Sequence, residues 1–155
     1  FFAVDRFAAS SELQNHLDNG KILISNRYTT ASMGHQGAQI KNPEARKRYF
    51  EWLHHLEFNV MGIPKPDVNI ILHMPAAVAQ SLVDKKPKRS YLAGMKRDIL
   101  EDDLGHLERA EAVYLEMADQ FEGTEKIECY EQGRLLSIDE IHIRVRVLVD
   151  TYLTQ

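Results

Sequence analysis

The segment KILISNRYTTASMGHQG, residues 21–37, decides the fold of this 155-residue chain. It begins with an apolar run at residues 21–25, whose isoleucines and leucine predict a buried strand. The run ends at Asn26 and Arg27, and a polar stretch with two glycines follows. Residues just past the carboxyl end of a strand lie where open α/β sheets bind ligands. The segment therefore predicts either an ordinary strand-to-helix turn or one wall of a ligand site.

Further strands and helices are predicted on the C-terminal side of this segment. A second buried strand is expected at residues 68–72, and a third, shorter one at residues 127–130. Helix boundaries are predicted at four places: a capping box at residues 11–14, a stop at 19–20, a start at 42–43 and a second capping box at 137–140. Strands that alternate with helices predict an α/β fold with a mainly parallel sheet. This order places residues 25–27 and 73–74 at the ligand-binding edge.

The helix that is predicted to begin at residues 42–43 has a regular apolar pattern. Its spacing of about 3.6 residues predicts one buried face. That face would consist of Tyr49, Trp52, Leu53, Leu56 and Val60.

Composition limits the function classes that fit this chain. Hydrophobic residues make up 44% and charged residues 27%, which is typical of a folded protein. The net charge of −4 argues against duplex nucleic acid as the main partner, because phosphate binding needs a basic face. Cys129 is the only cysteine in the sequence, which fits a reducing cytoplasm. No run approaches the roughly 18 apolar residues of a membrane span, so we expect a cytoplasmic protein with neither a nucleic acid nor a membrane partner.

Two residues, Arg27 and Arg6, are candidates for ligand binding on residue type alone. Arg27, just past the predicted strand, offers a planar fork for a phosphate or a carboxylate. A surface ion pair is an equally simple interpretation, and Arg6 has the same ambiguity. For Phe2, periodicity alone favours a place in the core.

Residues 84–98, DKKPKRSYLAGMKRD, form a basic segment in an acidic protein. Composition leaves two interpretations open: a solvated loop, or a lid that closes over a polyphosphate and excludes water. The histidines have no metal-binding spacing. The phosphate-binding motif G-x-x-x-x-G-K-S/T is not found in these 155 residues.

The order and spacing of several short motifs resemble those of thymidylate kinases. The matching segments are FAVDR at 2–6, NRY at 26–28, HQG at 35–37, GIPKPD at 62–67 and KRDILE at 96–101. The resemblance implies a P-loop nucleoside monophosphate kinase that transfers the γ-phosphoryl group of ATP to dTMP with Mg²⁺, and it suggests a homodimer. It implies a three-layer α/β P-loop kinase fold with a mainly parallel sheet. Because the N-terminal strands and the P-loop of that fold are missing from this chain, we expect residues 1–155 to be the C-terminal portion of a single domain.

The resemblance also implies a dTMP site within residues 1–37. Phe2 matches the aromatic residue that stacks on thymine, and Arg6 matches the arginine that reaches the base carbonyl. Arg27 matches the arginine that grips the phosphate of dTMP, which makes it a catalytic candidate. Ser32 and Gln36 fall where family members place polar groups near the base.

Further implications concern the lid, at about 84–98, and two departures from the family pattern. Lys96 and Arg97 would supply positive charge to the transferring phosphoryl group, and Arg97 would also contact ATP. Asn26 stands where the family usually has an aspartate beside the metal and phosphates. His35 stands where a tyrosine usually packs near the sugar. Both departures are predicted dTMP-site positions at which metal use or sugar selectivity would differ.

Two other function classes remain open at this point. One is a non-catalytic nucleotide-binding relative that acts as a sensor or regulatory module, which Asn26 and the missing phosphate-binding motif favour. The other is a related deoxynucleoside kinase, which would need a general base near a 5′-hydroxyl acceptor.

Overall fold

The chain divides into two units, Phe1–Pro66 and Asp67–Gln155. The first unit consists mostly of helices. The computed structural model describes residues 1–84 and 103–154. In the first unit the helical segments are α1 (Phe2–Asp18), α2 (Thr29–Gly37), α3 (Pro43–His54) and a π-helical turn (His55–Val60). Of the predicted lid, residues 84–98, all but residue 84 lie outside the described residues.

Local capping signals predict some helix ends and fail at one. Asn42 Oδ1 accepts a hydrogen bond from the Ala45 amide at 2.9 Å, and α3 begins at Pro43 as predicted. The stop after α1 is also confirmed, because Gly20 adopts φ +71°. The capping box predicted at Ser11 is wrong, since α1 runs without a break from Phe2. Within a continuous helix the backbone satisfies its own N–H groups, so Ser11 has no free donors to cap.

The buried strand predicted at residues 21–25 is not formed. These residues are exposed and belong to no strand, with Ile24 at 94% exposure. A strand is stable only when a neighbouring strand pairs with its backbone groups. No part of the described chain pairs with this segment. The prediction of a buried strand at residues 21–25 is therefore wrong.

The core of the first unit includes Leu53, as predicted, but otherwise lies on a different side of α3 from the predicted face. Phe50 and Leu53 are buried, and Glu57 follows on the same side, whereas Trp52 is 57% exposed and Val60 is exposed. Beyond His54 the backbone changes to a π-helical turn, in which the Met61 amide bonds the Leu56 carbonyl five residues back. This wider turn ends the 3.6-residue period, so the position predicted for Val60 on the buried face no longer follows from the pattern.

The second unit contains the strands. Its elements are β1 (Asn69–His73), α4 (Ala76–Asp84), α5 (Leu104–Gln120), β2 (Thr124–Glu128), β3 (Tyr130–Glu131), β4 (Arg134–Leu135) and α6 (Ile138–Leu153). Strands β1 and β2 pair in parallel, with Asn69 opposite Thr124 and His73 opposite Glu128. The predicted second strand is thus confirmed to within one residue. The predicted third strand begins three residues earlier than expected.

Strands β3 and β4 form a tight antiparallel hairpin. Its two loop residues, Gln132 and Gly133, both have positive φ, which matches the twist of a two-residue hairpin. The predicted capping box of the terminal helix is confirmed: Ser137 Oγ and the Glu140 carboxylate each accept a hydrogen bond from the other's backbone amide.

Helix α5 provides the core of the second unit through Ala110, Val113 and Met117, all buried. It packs against β1 and β2. The second unit is therefore a mixed helix and strand structure around a small parallel sheet, which is compatible with an α/β kinase fold. None of the described helices is both long and apolar enough to cross a membrane.

Candidate functional site

A buried carboxylate, Glu57, connects the polar side chains of the first unit. Its side chain is fully buried, and it lies in the π-helical turn. Glu57 Oε2 accepts a hydrogen bond from Arg6 Nε at 2.6 Å and another from Thr29 Oγ1 at 2.8 Å, and Oε1 accepts from Arg6 Nη2. A buried charge without such partners would be strongly unfavourable. Glu57 therefore fixes Arg6 to the start of α2.

Arg6 extends this cluster to a second side chain of α2. Its Nη2 also donates to Ser32 Oγ at 3.2 Å. The guanidinium carbon lies 5.9 Å from the centroid of the Tyr28 ring, which is within the range of a cation–π contact. Nη1 makes no hydrogen bond within the described part of the chain. The guanidinium is thus held along its Nε–Nη2 edge, and no described residue uses the two donors of Nη1.

Two tyrosines border the Arg6–Glu57 pair. Tyr28 donates its hydroxyl to the Pro64 carbonyl at 3.0 Å, and Tyr49 donates to the Ser32 carbonyl at 3.4 Å. Burial raises the pKa of both phenols, the charge of Glu57 raises it further, and Arg6 opposes these effects. Both tyrosines therefore stay neutral hydrogen-bond donors at physiological pH.

Arg27 has a strained backbone at the end of the loop that precedes α2. Its φ is +73°, a left-handed conformation that is uncommon for residues other than glycine. The Ser25 hydroxyl donates to the Arg27 carbonyl at 2.9 Å, and the Arg27 side chain is exposed. Strain of this kind concentrates at ligand-binding sites, where the surrounding structure holds it. The backbone thus supports a functional role for Arg27 without identifying the ligand.

The other predicted site residues have different environments. Phe2 is 65% exposed, so the prediction of a core position from periodicity is wrong. Asn26 and Gln36 are exposed, and His35 is half-buried. Ser32 is the predicted site residue that the structure brings into contact with Arg6. Lys96 and Arg97 lie outside the described residues.

Sequence reasoning missed Glu57 and Thr29. The available signal was the position of Glu57, seven residues after Phe50 and four after Leu53, on the buried side of the α3 segment. A charged residue in such a position needs a partner of opposite charge. In the structure that partner is Arg6, which both oxygens of the Glu57 carboxylate hold in place.

The described residues contain few clustered metal-binding side chains. They include no group of three or more histidine, cysteine, aspartate or glutamate side chains placed to hold a metal ion. Asn26 offers a neutral amide oxygen where a carboxylate would bind Mg²⁺ more strongly.

A second polar cluster lies at the carboxyl end of β1, in the second unit. His73 Nδ1 is 2.5 Å from Glu128 Oε2, and Nε2 is 2.9 Å from Glu111 Oε1. Glu111 Oε2 accepts a hydrogen bond from the Ala76 amide at 2.8 Å, and Lys126 pairs with Glu128 at 2.8 Å. Burial lowers the pKa of His73, but its hydrogen bonds to Glu128 and Glu111 outweigh burial and raise the pKa overall. The sequence had placed His73 at this edge but not its two carboxylate partners.

The raised pKa of His73 predicts a specific pH dependence of stability. A group with a raised folded-state pKa stabilises the fold below its unfolded pKa of about 6.5, and this stabilisation is lost as pH rises through the folded pKa. We expect the stability advantage of the wild type over His73→Gln to be full near pH 5.5 and to shrink toward pH 9. Urea unfolding followed by circular dichroism measures this difference. His142→Gln, at an exposed position in α6, is the control and should keep the wild-type profile; an advantage that does not change with pH would contradict the prediction.

Comparison with known proteins agrees with the resemblance in the motifs. No family model matches the chain. Two curated relatives, each named thymidylate kinase, come from Mycobacterium tuberculosis strains CDC 1551 / Oshkosh and ATCC 25618 / H37Rv. Each is 30% identical to this chain over 119 residues, which cover 77% of the chain and 54% of the relative. The chain therefore spans about half the length of the curated relatives it matches, and the similarity supports a thymidylate-kinase-like relationship.

Proposed function

We propose that the protein containing this chain phosphorylates dTMP to dTDP, with ATP supplied as its magnesium complex. The observation that supports this proposal is the state of Arg6. In a chain that is 30% identical over 119 residues to proteins named thymidylate kinase, the arginine of the FAVDR motif is fixed by Glu57 and Ser32, and among the described residues nothing accepts a hydrogen bond from its Nη1. A fixed guanidinium with unused donors is suited to binding an acceptor on a ligand.

The first unit would bind the nucleoside part of dTMP. Phe2 offers an exposed ring one helical turn from Arg6, so that the base could stack on it while Nη1 donates to a base carbonyl. Ser32 and Gln36 would provide polar groups near the base, and His35 would lie beside the sugar.

The phosphate of dTMP would bind at the loop before α2. Arg27 would pair with its oxygens, and Asn26 would lie beside it. In the reaction a phosphate oxygen of dTMP bonds to the γ-phosphorus of ATP as the bond to the ADP oxygen breaks, which gives dTDP and ADP. Such a reaction depends on positioning and on stabilisation of negative charge, and Arg27, Lys96 and Arg97 are the residues proposed to contribute.

A coupled assay of ADP release tests the proposal with the full reading frame that encodes this chain. We expect dTMP to support turnover and thymidine not to do so, because Arg27 would hold an acceptor that carries a phosphate. Turnover with thymidine instead of dTMP would indicate a deoxynucleoside kinase and contradict the proposal.

The exposed Asn26 favours a second candidate function, a nucleotide-binding module without kinase activity. Its side chain is a neutral amide at a position where the resemblance leads one to expect a carboxylate. Such a module would bind dTMP in a calorimeter but would release no ADP in the coupled assay.

A further inference from the structure

Glu57 has no role in the proposal above beyond holding Arg6, yet its contacts determine what Arg6 can bind. We propose that Glu57 is a positioning residue that restricts Arg6 to the recognition of a single hydrogen-bond acceptor on a pyrimidine. This inference rests on the proposed function only in assigning Arg6 to the base of the nucleotide.

Counting donors explains the restriction. A guanidinium has five N–H donors and no acceptor: one on Nε and two on each terminal nitrogen. Glu57 takes the Nε donor and one Nη2 donor, and Ser32 Oγ takes another from Nη2. Within the described chain only the two donors of Nη1 remain for a ligand.

The Glu57 carboxylate is itself held in one orientation. Its Oε2 also accepts the Thr29 hydroxyl at 2.8 Å, and Thr29 is buried at the first turn of α2. The carboxylate projects from a π-helical turn, a feature that is frequent at functional sites. The guanidinium plane is therefore fixed jointly by α2 and the π-helical turn.

The remaining Nη1 group distinguishes ligands by their chemistry. It can donate to the keto oxygen of a thymine or uracil ring, but it cannot pair with the amino group that cytosine carries at the corresponding carbon. A base bound over Nη1 would cover it from water, and a donor that is covered without a partner disfavours the wrong base. Glu57 would accordingly set how strongly Arg6 selects a keto oxygen over an amino group.

Glu57→Gln tests this inference in the full-length protein. The amide keeps the size of the side chain but offers one acceptor oxygen instead of two, so one arm of the Arg6 pair is lost. We expect dTMP affinity to fall about tenfold while dCMP affinity changes little, because one charge-assisted hydrogen bond no longer orients Arg6. Calorimetric titration with dTMP and dCMP measures the ratio of the two dissociation constants. Glu51→Gln, at an exposed position of α3, is the matched control and should keep the wild-type ratio.

Thr29→Val provides a second variant if Glu57→Gln does not fold. It keeps the shape of Thr29 and removes the hydroxyl that holds Glu57 Oε2, so a smaller shift of the ratio in the same direction is expected. A purely structural role would lower the fraction of active protein and leave the ratio unchanged, and that result in a folded variant would overturn the inference. Because binding is measured without ATP, wild-type protein that binds dTMP but does not turn over would contradict the proposed function and not this one.

Discussion

Arg6→Met is expected to lower the free energy of unfolding of the first unit by about 3–5 kcal/mol, because breaking a buried ion pair leaves a charge without a partner. Glu57 is fully buried, and Arg6 provides two of the three hydrogen bonds that its carboxylate accepts from the described residues. Urea unfolding followed by Trp52 fluorescence measures the change. Trp52 is the only tryptophan in the sequence and lies in α3, so its signal reports on this unit.

A double variant separates the buried charge from the loss of packing. Replacing both members of a buried pair with apolar groups is often neutral or stabilising. Arg6→Met combined with Glu57→Leu should therefore recover most of the stability that Arg6→Met loses. A double variant no more stable than Arg6→Met would show that the unpaired charge of Glu57 is not the cause.

Arg27→Ala is expected to weaken dTMP binding by about 10- to 100-fold. Hydrogen bonds to charged groups contribute about 1.5–3 kcal/mol, and each 1.4 kcal/mol corresponds to a factor of ten. The side chain is exposed and the backbone is strained at φ +73°, as expected if the residue is kept for a ligand and not for packing. Calorimetric titration of the full-length protein with dTMP gives the dissociation constant, and unchanged affinity would refute the phosphate role.

Two further variants control for charge and strain. Arg48→Ala removes an exposed positive charge from α3 and should leave dTMP affinity unchanged. Arg27→Gly should lose as much affinity as Arg27→Ala but unfold at a higher urea concentration, because glycine adopts positive φ without strain. Equal stability of the two Arg27 variants would indicate that the surrounding loop relaxes.

Features that depend on short-range interactions could be predicted from the sequence. The Asn42 cap, the helix stop at Gly20 and the capping box of Ser137 and Glu140 each involve residues only a few positions apart. Their hydrogen bonds depend on local backbone geometry, which residue type controls directly.

Features that depend on distant residues were predicted less well. Residues 21–25 have the composition of a buried strand, but pairing requires a neighbour that the described chain does not provide. Glu57 contacts Arg6 across 51 positions of sequence, and no local pattern indicates that pair. The motif resemblance predicted Arg6 and Ser32 as site residues. Only the structure showed that the two are in contact and that Glu57 holds Arg6.

Formation of dTDP is the most direct test of the proposed dTMP kinase activity. The full reading frame would be incubated with dTMP and ATP in the presence of Mg²⁺, and the nucleotides separated by ion-exchange chromatography. We expect dTDP and ADP to appear in equal amounts and Arg27→Ala to reduce both strongly. Wild-type protein that binds dTMP in the calorimeter but forms no dTDP would contradict the proposed activity.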